Sequence, residues 1–187
     1  MPHPLKIIGI SGSLRKTSYN TALLKAAAAL MPTGIEFEIA EIGEIPLYNG
    51  DLELNHFPES VQILREKIRA SNGLLIATPE YNYSMSGVLK NTIDWLSRPS
   101  TDPVLFDKPL AIIGASMGMM GSARAQYHLR QSAVFLNMHV LNKPELFVNA
   151  VHTKFNEQLE LTDLPTQDVL KQVLESFQKW IKQLEGK

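Results

Sequence analysis

The sequence predicts an α/β domain in which helices cover both faces of a doubly wound parallel sheet, and three observations carry that expectation. Apolar runs of strand length alternate with longer amphipathic stretches. Three of the runs, residues 5–10, 74–77 and 110–115, are nearly unbroken, as strands buried on both faces require. The segments that follow them are polar and carry glycine, which suits loops at the C-terminal edge of such a sheet.

In chain order, residues 5–10 form the first strand, and Leu23, Ala27 and Leu30 then recur at helical spacing within 21–30. Ile35, Phe37 and Ile39 alternate with Glu36 and Glu38, the pattern of an edge strand with one wet face. Val61, Leu64 and Ile68 mark the next helix, 74–77 the third strand, 88–96 a helix and 110–115 the fourth strand. A further strand is expected within 138–148, interrupted by Asn142-Lys143-Pro144, and Leu170, Val173, Phe177, Ile181 and Leu184 mark a terminal helix. About five strands and five helices result, in one domain spanning residues 1–187.

Composition narrows the function. With 44% hydrophobic and 20% charged residues the chain is an ordinary globular one, and a net charge of -1 without basic blocks argues against nucleic-acid or anionic-membrane partners. No segment is long and apolar enough to span a bilayer, and Met1-Pro2-His3-Pro4 does not open a secretory signal, so a cytoplasmic location is expected. There is no cysteine, which removes thiolate nucleophiles, thiolate-bound metals and thiol redox chemistry; any redox activity must come from a cofactor. His3, His56, His128, His139 and His152 form no pair at ligand spacing, so no metal is expected, and no G-x-S-x-G elbow is present.

The loop Ser11-Gly12-Ser13-Leu14-Arg15-Lys16-Thr17-Ser18-Tyr19-Asn20 joins a strand to a helix. A helix start has unpaired N–H groups and partial positive charge, so an anion placed there gains hydrogen bonds and dipole attraction together. Ser11, Ser13, Thr17, Ser18 and Asn20 add neutral donors and Arg15 a planar fork. The same residues also suit a plainer arrangement, with Ser18 or Asn20 capping the helix and Arg15 solvated. Gly12 is not followed by the glycines of a dinucleotide fingerprint or a P-loop, which leaves a different phosphate ligand. Beyond the third strand, Pro79, Glu80, Tyr81 and Asn82 offer a stiffened turn, a flat face and polar groups; beyond the fourth, Ser116, Gly118, Gly121 and Ser122 permit close backbone approach, with Met117, Met119 and Met120 as an apolar wall.

Together these loops resemble the NADPH-dependent FMN reductase family of the flavodoxin-like superfamily, which includes soluble quinone, azo-compound and chromate reductases. The resemblance rests on Gly12-Ser13-Leu14-Arg15 with Ser18 and Asn20, and on the motif from Pro79 to Trp95 (P-E-Y-N-x-S-x-x-G-x-L-K-N-x-x-D-W). It implies strand order 2-1-3-4-5 and bound FMN. It also implies that Ser11, Ser13, Arg15, Ser18 and Asn20 hold the phosphate, that Pro79, Glu80, Tyr81 and Asn82 flank the ring, and that Ser116 and Gly118 approach it from the third loop. NAD(P)H would be the electron donor, and a quinone or another small molecule the acceptor. Because the cofactor carries the chemistry, no dedicated acid–base residue is expected. Two alternatives stand beside this reading: a flavodoxin-type FMN electron carrier without its own turnover, and a Rossmann-type domain using Glu41 for ribose, which the missing glycines disfavour.

The resemblance also implies a homodimer or homotetramer. Tyr81, Tyr83, Met85, Val88, Leu89 and Trp95 crowd one segment, which is expected to lie between subunits unless it packs within a single core.

Overall fold

In the computed structural model, residues 4–55 and 57–186 are described; His3 and His56 therefore lie outside the described residues. The sheet runs in the order β2-β1-β3-β4-β5, with every pairing parallel. Its strands are β1 (Leu5–Ser11), β2 (Ile35–Ala40), β3 (Gly73–Ala77), β4 (Pro109–Ala115), β5 (His139–Val140) and β6 (Leu146–Val148). The fifth position is thus filled in two pieces, since β5 pairs with the start of β4 and β6 with its end. The break coincides with the Asn142-Lys143-Pro144 interruption, where proline removes a ladder donor.

Alternation within the strands divides the core between the two faces. Ile7, Leu75, Ala77, Ala111, Ile113 and Ala115 point toward α1 (Tyr19–Ala29) and α6 (Leu164–Glu185), where Leu23, Leu24, Leu170, Phe177 and Ile181 are buried with them. Ile8, Ile10, Leu74, Ile76, Leu110 and Ile112 point the other way. They meet α3 (Glu59–Arg69), α4 (Gly87–Leu96) and α5 (Ala123–Phe135). Burying side chains on both faces is what made these strands continuous apolar runs.

Two helices fall outside the periodicities named above. The short α2 (Gly50–Asn55) lies in the long connection after β2. The other, α5, has a blurred pattern because Tyr127, Val134 and Phe135 stand on its solvent side while Ala125, Leu129 and Ala133 face the core.

The expected exposure of the 81–95 segment needs correction. Of its six large apolar residues, Met85, Leu89 and Trp95 are buried within this one chain, Val88 is partly buried, and Tyr81 and Tyr83 remain exposed. Trp95 is fully covered because the connection after β2 folds over it. Its indole Nε1 donates to Pro46 O at 2.8 Å, and the rings of Tyr48 and Phe57 stand edge-on at 4.9 and 5.4 Å. A second clamp on the same side is the buried Arg65, which donates to the carbonyls of Arg98 and Asp102 and to the Asp102 carboxylate.

The terminal helix α6 begins at the N-cap Asp163, whose carboxylate accepts from the Thr166 N–H at 3.0 Å and from Lys154 Nζ at 2.9 Å. Hydrogen bonds from Thr166, then from Lys154, hold this carboxyl below the usual carboxylate range. A carboxyl depressed in the folded state stabilises above its unfolded pKa and loses that contribution as pH falls through the folded value. Asp163→Ala is therefore expected to cost about 1 kcal/mol at neutral pH. In urea titrations, the gap between the two proteins should close as pH drops below about 4.

Candidate active site

The loops after β1, β3 and β4 leave the same edge of the sheet and enclose a cleft of about 320 Å³. Of the residues singled out from the sequence, Ser13, Arg15, Ser18, Asn20, Pro79, Glu80, Tyr81, Ser116 and Gly118 line it. Ser11 and Asn82 do not. The Ser11 hydroxyl lies 2.8 Å from Thr21 Oγ1, bracing the loop from behind, and Asn82 is exposed at the tip of a turn. Tyr19, Ala115, Met117, Met119, Met120, Arg124 and Val151 complete the lining. Among these, Arg124 carried no local signal in the sequence.

One end of the cleft is built for an anion. Among the described residues, the amide N–H groups of Leu14, Lys16, Thr17, Tyr19 and Asn20 find no acceptor, and of these residues Tyr19 and Asn20 line the cleft. Ser18 is the N-cap of α1, its Oγ accepting from the Thr21 N–H at 3.2 Å, and its own O–H remains available to donate. Arg15 is exposed at the rim, where its Nη2 reaches Thr17 Oγ1 at 3.4 Å. Asn20 has another task. Its Nδ2 donates to Ala115 O at 3.1 Å and its Oδ1 accepts from the Ala115 N–H at 3.0 Å, so its amide ties α1 to the end of β4.

The other end is flatter and apolar. Tyr81 and Ser84 exchange two backbone hydrogen bonds of 3.0 Å across a two-residue turn. Asn82 and Tyr83 both take positive φ, 50° and 68°, as this turn type requires. Tyr81 is half exposed on the cleft wall, and Met117, Met119 and Met120 offer exposed thioethers from the third loop. That loop lies close to its neighbours. A Cβ on Gly114 would strike the Ser122 hydroxyl, and Gly121, at φ 55°, packs against the Phe147 carbonyl. The loops are also tied to one another: the Ser86 hydroxyl, which caps α4, donates to Gly12 O at 2.6 Å.

The chemistry of this donor set fits FMN. Free amides and a guanidinium stand where a phosphate would go, and an open apolar slot lies where a flat ring would rest. Among the described residues no group of three or more His, Asp or Glu side chains gathers at metal-binding distance.

A parallel sheet in the order 2-1-3-4-5, with an anion cradle after β1 and a planar slot beyond β3 and β4, defines a flavodoxin-like, FMN-binding protein. The chain belongs to the NADPH-dependent FMN reductase family, whose model matches residues 5–153. It is 51% identical over 186 residues to the NAD(P)H-dependent FMN reductase of Pseudomonas aeruginosa, with 100% of both chains covered. To the NADPH:quinone oxidoreductase of Arabidopsis thaliana it is 46% identical over 189 residues, covering 98% of this chain and 95% of that one. Among solved structures, FerB, a flavoenzyme NAD(P)H:(acceptor) oxidoreductase from Paracoccus denitrificans, matches with a TM-score of 0.88 at 35% identity. That match covers 96% of this chain and 98% of the FerB chain. The protein is an FMN-dependent NAD(P)H oxidoreductase.

Proposed function

We propose that the cleft holds FMN with its phosphate against Ser13, Arg15, Ser18 and the free amides of the first loop, and its ring between Pro79, Glu80 and Tyr81 on one side and Ser116 and Gly118 on the other. Ser11 braces this cradle from behind through Thr21, whereas Asn20 lines it and offers its backbone amide to the phosphate while its side chain is tied to Ala115. The acceptor is a quinone, a class named for the Arabidopsis relative. The observation that carries this reading is the loop of unpaired amides with one guanidinium at one end of the cleft, where Ser13, Arg15, Ser18, Tyr19 and Asn20 line it, with an exposed aromatic and three methionines at the other.

Bound FMN supplies hydride transfer between a nicotinamide and the acceptor. The chain's own groups bind, orient and expose. Neutral hydroxyls and amides fix the phosphate without protons to exchange, and Tyr81 and the methionine wall give a flat molecule apolar area to cover. A reaction fed by NAD(P)H is assigned to the cytoplasm, and no helix among the described residues is long and apolar enough to cross a membrane.

We also infer a homodimer, extending to a homotetramer if a second face is used. Its support has moved from the 81–95 segment to the solvent side of α5, where Tyr127, Val134 and Phe135 lie exposed, with Phe135 at 90%, while Arg124 and His128 of the same helix touch the loop that carries the exposed Tyr81 and Tyr83. Clustered aromatic and aliphatic groups of this kind commonly mark an interface.

Three measurements test these assignments. Removing one charge-assisted phosphate contact should cost roughly 1.5–3 kcal/mol, so Arg15→Ala should weaken FMN at least tenfold and leave riboflavin nearly unchanged. Equal losses for both ligands would contradict phosphate binding by Arg15. The flavin absorbance of the loaded protein should bleach on adding NAD(P)H and return with a quinone, with parallel double-reciprocal lines; bleaching without recovery by any quinone would overturn the acceptor. Light scattering should give at least twice the monomer mass, and a lone monomer that turns over normally would refute the interface.

A further inference from the structure

Helix α5 lacks a cap of its own. Its N-cap residue Ser122 has a left-handed backbone, φ 71°, and its hydroxyl accepts from Gln126 Nε2 at 3.2 Å instead of serving the first turn. The missing acceptor comes from the loop after β3. Glu80 Oε2 takes the Arg124 N–H at 3.0 Å, and Oε1 takes Arg124 Nε at 2.5 Å and pairs with Nη2. A carboxylate whose side chain is only 8% exposed is thus met by a helix start, an amide and a guanidinium at once. The same hydrogen bonds raise the Arg124 guanidinium above its ordinary range.

Two further contacts stitch this loop to α5. The Arg124 guanidinium carbon lies 3.6 Å from the centre of the Tyr83 ring, and one helical turn later His128 Nδ1 stands 2.9 Å from Ser84 Oγ. Tyr81 therefore sits between a tie at Glu80 and a tie at Ser84, on the wall facing Met117, Met119 and Met120. The base of the loop is held independently, by buried Met85 and Leu89 and by the Ser86 to Gly12 bond. Loss of the Arg124 tie would loosen the wall and leave the fold standing.

We propose that Arg124 is a positioning residue for the acceptor: by gripping Glu80 and stacking on Tyr83 it holds the loop that carries Tyr81 in place at the open side of the cleft, beside the space assigned to the flavin ring, and so sets the affinity for flat acceptors. The inference rests on the reading of the cleft as an FMN site that reduces quinones. A wall already held in place needs no ordering when the acceptor arrives, whereas a loose one must be ordered by each molecule that binds.

The test pairs steady-state kinetics with hydrogen exchange on Arg124→Ala, Arg124→Lys, Glu80→Gln and the double variant Arg124→Ala/Glu80→Gln. Arg124→Ala should raise the quinone KM five- to twentyfold while kcat at saturating quinone changes less than threefold. Arg124→Lys, which keeps the charge but not the fork, should fall between it and the parent. The double variant should be no worse than the poorer single one, since both remove one interaction. In the FMN-free protein, amides of residues 80–84 should exchange faster in Arg124→Ala, and those of 13–20 should not. An active Arg124→Ala with unchanged KM, or one that loses kcat alone, overturns the positioning role. A parent protein inactive with every quinone overturns the reading of the cleft instead, while the exchange data still report whether the tie holds the loop.

Discussion

The paired hydrogen bonds between the Asn20 amide and the backbone of Ala115 are the contact on which the arrangement of the cleft depends. A parallel sheet delivers its loops to one edge, but it does not fix their spacing, because the last backbone groups of each strand have run out of ladder partners. Asn20 completes the end of β4 with a side chain from the first turn of α1. The anion cradle and the third loop are thereby set at a fixed separation. The Ser86 to Gly12 bond does the same between the first and second loops. With Glu80 reaching α5, all three loops are cross-linked by buried or half-buried polar contacts, and losing a partner there would leave a group unsatisfied at a cost of roughly 1–3 kcal/mol.

How far the sequence could be read follows from which contacts are local. The strands were visible because each needs apolar residues on both faces, and the alternation of residues 35–39 identified β2 as an edge strand. The cradle was visible because its residues are contiguous. What stayed hidden depends on distance along the chain. Glu80 and Arg124 are 44 residues apart, and nothing near either one shows that they meet. The second task of Asn20 was hidden too, because a polar side chain at a helix start has the same pattern whether it caps, holds an anion or, as here, also finishes a strand 95 residues away. Helix α5 was obscured because three of its solvent-facing residues are apolar. Trp95 was expected at an interface because the sequence does not reveal that Pro46, Tyr48 and Phe57 fold back to cover it.

Two readings that competed for Ser18 turn out to be compatible. Its oxygen caps α1 by accepting from Thr21, and the hydroxyl proton is left over. A single serine can therefore stabilise the helix in the empty protein and still offer a donor to a phosphate. That economy is open to hydroxyl side chains, which accept and donate at one atom, and closed to a carboxylate cap, which would also repel the ligand.

The two margins of the sheet share one property, reached by different means. At one margin, Glu36 and Glu38 stud β2, the second of them held by Lys67 at 2.6 Å and approached by Lys6 at 3.7 Å. At the other, the outermost position is only two residues of β5 and three of β6, separated by a proline-bearing kink. Neither margin presents a long, flat, uncharged row of peptide groups to a neighbouring sheet. Growth by adding strand to strand is thus disfavoured on both sides. A charged margin and a broken one thus let the chain expose an open sheet without offering it as a template for further strands.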